Sequence, residues 1–253
     1  KRVIDEGGYA VGTKSDLTGG MNSLDKQNVM WGAGIQVADQ AGGYAGFFTH
    51  MDNKEGAYAK SAPKLISKQL YNRISATDIR RDWWDPSDKE SPYVSKKFSF
   101  ANVASFLGDY IYMRVEEMYF TAAEAALRLD DLKSARELMN TVMAERDPGY
   151  SANNRSGTLL GATTTTWTGS FLENILTHRR IELWGEYGRL FDVRRLGQGI
   201  DRRTDDGFSE ECISMMNRRN VNITKADTYD WVLTIPKAEL DANPNINEED
   251  QNP

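Results

Sequence analysis

Residues 112–149 read YMRVEEMYFTAAEAALRLDDLKSARELMNTVMAERDPG, and this stretch decides the fold. Val115, Met118, Tyr119, Ala122, Ala123 and Ala126 recur at the three- and four-residue steps of a single helix face. Asp130-Asp131 then offers a cap to a second helix, whose stripe is Ala135, Leu138, Met139, Val142 and Met143. Asp147-Pro148-Gly149 ends it, because proline cannot continue the ladder and glycine favours the exit turn. The short connection between the two stripes predicts antiparallel helices.

The same pair fits the tetratricopeptide period of about 34 residues, with small residues where two helices approach closely. An ordinary helical hairpin fits the spacing equally well. Downstream, residues 150–169 are rich in Ser, Thr, Asn and Gly and include the run Thr163-Thr164-Thr165-Thr166-Trp167, which reads as a loop. Ser170 with Glu173 forms a capping-box pattern opening a helix through about Tyr187, with Leu172, Ile175, Leu176 and Leu183 as its stripe. Beyond Arg195 the chain turns polar, with a surface turn expected at residues 202–207 and a strand at Trp231–Ile235, stopped by Pro236.

Upstream the texture differs. Eleven of the 21 glycines lie in residues 1–60, interleaved with Trp31, Tyr44, Phe47, Phe48 and Tyr58, a composition that favours loops and short strands. Residues 28–32 and 34–37 read as strand-like pieces and Leu65–Ile74 as a short helix. The expected organisation is therefore mainly α, in three parts. Residues 1–105 form an irregular, loop-rich section holding the ligand site, residues 106–200 a tetratricopeptide-like helical region, and residues 201–253 a loop, short strand and tail.

Composition removes several functions. Lysine plus arginine number 31 against 37 acidic residues, a formal charge of −6, so there is no basic excess for nucleic-acid phosphates. Cys212 is the single cysteine, which excludes an intramolecular disulfide and a cysteine-based zinc cluster. His50 and His178 are the two histidines, so a two-histidine zinc helix has no counterpart here, and no metal or cofactor is expected. No run approaches the ~20 apolar residues of a membrane-spanning helix, and the opening residues lack the apolar core of a signal peptide.

Arg179, Glu182, Glu186, Arg189 and Asp192 make the densest charge cluster, with mixed signs three and four residues apart. Arg179 falls in line with Leu176 and Leu183, so a buried face would demand a carboxylate partner, and Glu182 or Glu186 is in reach along the helix. A structural ion-pair network is the expected role. The carboxylate pairs Glu116-Glu117, Glu182 with Glu186, and Glu210-Glu211 have the residue types of a glycosidase acid and base, but nothing singles out one pair, and no nucleophile-elbow or phosphate-loop pattern is present. What remains is a set of aromatics in loops, Trp31, Tyr44, Phe47, Phe48, Tyr58, Trp83, Trp84 and Trp167, whose ring faces suit stacking on sugar rings.

Three segments, in order, resemble the SusD/RagB family. Tyr112 to Ala125 is similar to a family helix carrying Arg, Glu, Tyr and Ala-Glu-Ala. Residues 175–195, ILTHRRIELWGEYGRLFDVRR, are similar to its Arg-Arg…Glu-Leu…Arg…Phe-Asp…Arg run. Leu233 to Leu240, with Asn243-Pro244 and Gln251-Asn252-Pro253, is similar to its ending. Residues 70–84 also resemble the stretch before the first motif, whereas the family's earlier helical repeats have no counterpart. The resemblance implies a SusD-like, tetratricopeptide-based fold without catalysis. It implies a glycan or peptide receptor, lipid-anchored at the bacterial outer-membrane surface, that loads a SusC-like TonB-dependent transporter. By position it implies a ligand site at Tyr44, Phe47, Phe48, His50 and Tyr58, then Trp83 and Trp84. The alternative is a tetratricopeptide-like module that grips a protein partner.

Overall fold

The computed structural model describes residues 1–39, 46–186, 188–200 and 233–251. Two compact units emerge, one from residues 1–160 and 168–187, the other from residues 161–167 and 188–253. The chain is mainly helical with a few short strands.

In the larger unit the order is α1 (Arg2–Glu6), α2 (Lys14–Thr18), β1 (Val29–Ala33), α3 (Phe47–Met51), α4 (Ala57–Ser61), α5 (Lys68–Tyr71), a 3-10 turn (Ile79–Trp83), β2 (Trp84–Asp85), β3 (Val94–Ser95), β4 (Tyr110–Arg114), α6 (Val115–Arg128), α7 (Leu132–Ala144) and α8 (Phe171–Glu182). Helix α6 packs on both α7 and α8, and α1 lies against α6. The α7 stripe is buried as its periodicity predicts, and Asp131 caps it by accepting the Ser134 N–H at 3.0 Å. On α6 the buried face is rotated from the apolar stripe. Val115, Phe120, Ala123 and Leu127 point inward together with Glu116, Glu117 and Glu124, while Met118 and Tyr119 are half-buried. Glutamates bury only when paired, and the partners described below turn this face inward.

Helix α8 opens at Ser170, whose Oγ accepts the Glu173 N–H at 3.0 Å, and is buried on nearly every side. It ends at Glu182, short of the Tyr187 expected from the sequence. The reason is that its terminal carbonyls are taken by buried cations. Lys97 Nζ donates to the Glu182 and Trp184 carbonyls at 2.8 Å each, and Arg114 Nη2 donates to the Glu182 carbonyl at 3.1 Å. Gly185 then turns the chain at φ +73°, where an added Cβ would meet the Phe98 ring at 2.7 Å.

The irregular section is held by a core of Phe48, Trp83, Trp84, Phe98, Phe100 and Ile181. Fully burying each such side chain contributes roughly 1.5–3 kcal/mol. Strand β1 is a single piece paired antiparallel with β4; residues 34–36 do not extend it, and the short helix expected over Leu65–Ile74 is limited to Lys68–Tyr71 after a Ser67 cap.

The smaller unit contains α9 (Arg189–Arg195) and α10 (Lys237–Ala242). Thr163 bridges Gly199 in parallel, and Gln198 Nε2 donates to the Gly161 carbonyl at 3.0 Å. Residues 202–207, 231 and 232 lie outside the described residues, but Leu233–Ile235 form no strand. Ile235 instead pairs with a side chain: its N–H donates to Gln251 Oε1 at 2.7 Å, and Gln251 Nε2 donates to its carbonyl at 3.0 Å. A glutamine amide thus satisfies the backbone groups that a neighbouring strand would have taken.

Candidate functional site

The centre of the larger unit is a knot of charge. Arg80, Arg114, Arg146 and Lys97 are buried with Asp78, Glu116 and Glu182, and Glu186 closes the set. Glu182 receives three guanidinium groups: Arg80 Nη1 at 3.1 Å, Arg114 Nη1 at 2.9 Å and Arg146 Nε at 2.9 Å. Arg114 also holds Glu186 at 2.7 Å and Glu116 at 3.1 Å, Arg146 holds Glu116 at 2.8 Å, and Arg80 holds Asp78 at 2.6 Å. Four named cations balance four named carboxylates, which is how so much charge survives away from water.

Burial pushes the Glu182 carboxyl up, but Arg146, Arg114 and Arg80 overcome it and hold it well below the usual carboxylate range. Glu186 is likewise held down against burial, by Arg114 and Lys97. Burial pushes the Lys97 ammonium down to about 8 despite Glu186, which donor and acceptor geometry still serves fully: three N–H bonds run to Glu186 and two carbonyls. Burial and the adjacent Arg80 drive His178 well below its ordinary value, so a neutral ring accepts from Arg80 Nη2 at Nδ1, 2.9 Å away.

Of the sequence-singled charges, Glu182 and Glu186 sit in this knot. Arg179 finds its partner elsewhere, on Glu117 of α6 at 2.8 Å, and not on its own helix. Asp192 and Arg189 belong to the smaller unit, where Asp192 pairs with Arg195 at 2.8 Å. The knot reaches Arg80, Lys97, Arg114 and Arg146, whose sequence contexts are unremarkable apart from the Arg114 motif. Only folding brings them together.

Both strands of the β1–β4 ribbon run out of the knot. Arg114 ends β4, Val115 N–H donates to the Asn28 carbonyl at 2.9 Å, and Asn28 Nδ2 donates to Glu116 at 3.0 Å just before β1. Two residues from buried Arg114, Tyr112 is 45% exposed, and Trp31 across the ribbon is 62% exposed. Their rings meet edge to face, centroids 5.1 Å apart at 64°. The register shifts on either side of Trp31, an irregularity of the kind that re-aims a side chain. The edge contact braces both rings while leaving ring surface in water, so the pair presents a fixed, partly exposed aromatic surface.

The structure separates the aromatics expected to bind ligand. Phe48, Trp83 and Trp84 are 2%, 4% and 1% exposed and build the core, where their faces are covered by other rings. Phe47 is half-buried, packed edge-on against Phe48 and Phe98. His50 and Tyr58 are exposed and stacked, 4.6 Å between centroids and 3° from parallel, across the α3–α4 hairpin. Tyr44 lies outside the described residues. Trp31 stands among the loop aromatics of the sequence but not in the position-based set, and Tyr112 is hidden inside a scaffold motif. The signal for Tyr112 is its place in a short strand that leads into an amphipathic helix.

The SusD family model matches residues 89–253. This chain belongs to the SusD family. Among solved structures it is similar to a SusD superfamily protein from Bacteroides thetaiotaomicron, with TM-score 0.70 and 21% identity over 100% of this chain and 55% of that one. A putative sugar binding protein from Bacteroides vulgatus gives TM-score 0.66 and 22% identity over 98% and 52%. A SusD-like carbohydrate binding protein from the same species gives TM-score 0.59 and 26% identity over 79% and 40%. The chain thus spans about half the length of the family structures it matches. No curated protein matches it. Among the described residues no helix is long and apolar enough to cross a membrane, and no group of three or more His, Cys, Asp or Glu side chains is placed to hold a metal ion.

Proposed function

We propose that this chain is the later part of a non-catalytic surface receptor that binds oligosaccharide by stacking sugar rings on Trp31 and Tyr112. The observation that carries this reading is the exposed, mutually braced ring pair, anchored to a rigid knot through Arg114 and Asn28. His50 and Tyr58 form a second exposed ring surface available to the same ligand class. Family membership and the carbohydrate- and sugar-binding names of the neighbours support the ligand chemistry. Delivery of the captured glycan to a TonB-dependent outer-membrane transporter, with the receptor anchored by lipid at the cell surface, completes the reading.

A binding role also fits the state of the carboxylates. A glycosidase acid needs a raised pKa, yet Glu182 and Glu186 are held down by cations. Glu116 and Glu117 are likewise engaged by Arg146 and Arg179. Glu210 and Glu211 lie outside the described residues.

Titration calorimetry against a panel of plant, host and microbial oligosaccharides tests the proposal. One or more is expected to bind, with Trp31→Ala lowering affinity by about tenfold, the size of a lost ring stack of ~1.5 kcal/mol. Binding unchanged in a Trp31→Ala, Tyr112→Ala double variant would refute the platform.

A further inference from the structure

A second concave surface of the larger unit has chemistry opposite to the ribbon's. It encloses about 540 Å³ between the start of α2, the 3-10 turn Ile79–Trp83 and the β2 turn, a volume in the range of small-ligand sites. Its lining mixes the cations Lys14, Arg81 and Lys96 with the carboxylates Asp82 and Asp85. No ring face is open to a ligand there. The Arg81 guanidinium covers Tyr71 at 4.3 Å, and Trp84 is almost wholly buried.

The walls are fixed. Trp83 Nε1 donates to the Leu17 carbonyl at 3.0 Å, pinning α2 to the 3-10 turn, and neighbouring Arg80 is locked into the charge knot. Arg81 Nη1 is oriented by the Ile74 carbonyl at 2.7 Å. One group is left over: Trp84 is among the residues lining the cleft, and its buried indole N–H has no acceptor among the described residues. A buried donor without an acceptor costs about 1–3 kcal/mol, so such groups are rare and call for a partner.

We infer that this cleft is a second sugar site, which takes a neutral, hydroxyl-rich saccharide unit by hydrogen bonds and not by stacking, with the Trp84 N–H as one donor. A hydroxyl both donates and accepts, so it matches a wall that carries ammonium and guanidinium donors together with carboxylate acceptors, of which Asp85 is already shared by Ser87 and Lys96. An anion would meet Asp82 and Asp85, and a cation would meet Lys14, Arg81 and Lys96. The ligand class rests on the glycan reading above, whereas the site is separate from Trp31 and Tyr112.

The indole region of a nitrogen–proton correlation spectrum reads both sites independently. The Trp84 resonance is assigned by its disappearance in Trp84→Phe, and that of Trp31 by Trp31→Ala. Glucose, galactose, mannose, xylose and their short neutral oligomers are titrated, with glucuronate as the charged comparison. The expected result is a downfield shift of the Trp84 signal with a neutral sugar, kept in Trp31→Ala and requiring on the order of tenfold more sugar in Asp82→Ala, whose side chain is exposed and not part of the core. A Trp84 signal that stays still with every neutral sugar, moves only with glucuronate, or moves only when Trp31 is present overturns the inference. A still Trp31 signal beside a moving Trp84 would instead reject the platform and leave the cleft standing.

Discussion

The charge knot and the aromatic ribbon meet within three residues of one strand, Tyr112 to Arg114, and obey opposite rules. In the knot the charged groups are buried or nearly so and paired with one another, so its worth lies in mutual compensation. On the ribbon two rings stand partly in water, so in the proposed reading their worth is realised when a ligand covers them. The comparison teaches that a residue's type does not fix its task in this fold. The rings of Trp83 and Trp84 are packed in the core because they lie inside, and Trp31 meets solvent because the ribbon turns it out.

The sharpest way to break this contrast is to remove one charge. Glu182→Gln leaves Arg80, Arg114 and Arg146 without their shared carboxylate, and we expect a loss of about 3–5 kcal/mol of stability in denaturant titration. Little loss would mean that water or rearranged partners compensate the arginines. The next test crosses the two regions. Phe48→Ala should cost about 3–5 kcal/mol of stability with per-molecule sugar affinity intact, whereas Trp31→Ala should change stability by no more than ~0.5 kcal/mol. An affinity loss in folded Phe48→Ala would return that ring to the ligand site.

A smaller effect follows from pH. His178 stays neutral when folded but protonates near 6.5 when unfolded, so the unfolded chain binds more protons below that value. Stability is therefore greatest above pH 6.5 and falls as the pH drops through that value, and His178→Gln should flatten the slope in that window. Below the ordinary carboxylate value of 4.5, Glu182 and Glu186 add a loss of the same sign, because their folded values are depressed. The smallest effect is expected from His50→Ala, which removes one exposed ring of a stacked pair and should shift stability by ~0.5 kcal/mol or less in thermal melts.

Much of the frame was legible beforehand. The α7 stripe, its Asp131 cap and the Ser170 cap of α8 are local matters of periodicity and hydrogen bonding within a few residues, and they appear where the sequence places them. The inward turn of Glu116 and Glu117 was not legible, because it depends on Arg146 and Arg179 arriving from distant parts of the chain. The same holds for the early stop of α8, imposed by Lys97. Among the aromatics, loop composition flags candidates but carries no information about which side of an irregular segment faces the core.

Sequence alone determined a helix-rich frame: its hairpin, its caps, its lack of an intramolecular disulfide and its likeness to one family, all written in neighbours along the chain. Tertiary structure decided who shares Glu182, which tryptophans are core and which ring meets solvent. The physical reason is range. Helical periodicity and capping act over three or four residues, whereas desolvation and ion pairing are settled by groups brought together from across the fold.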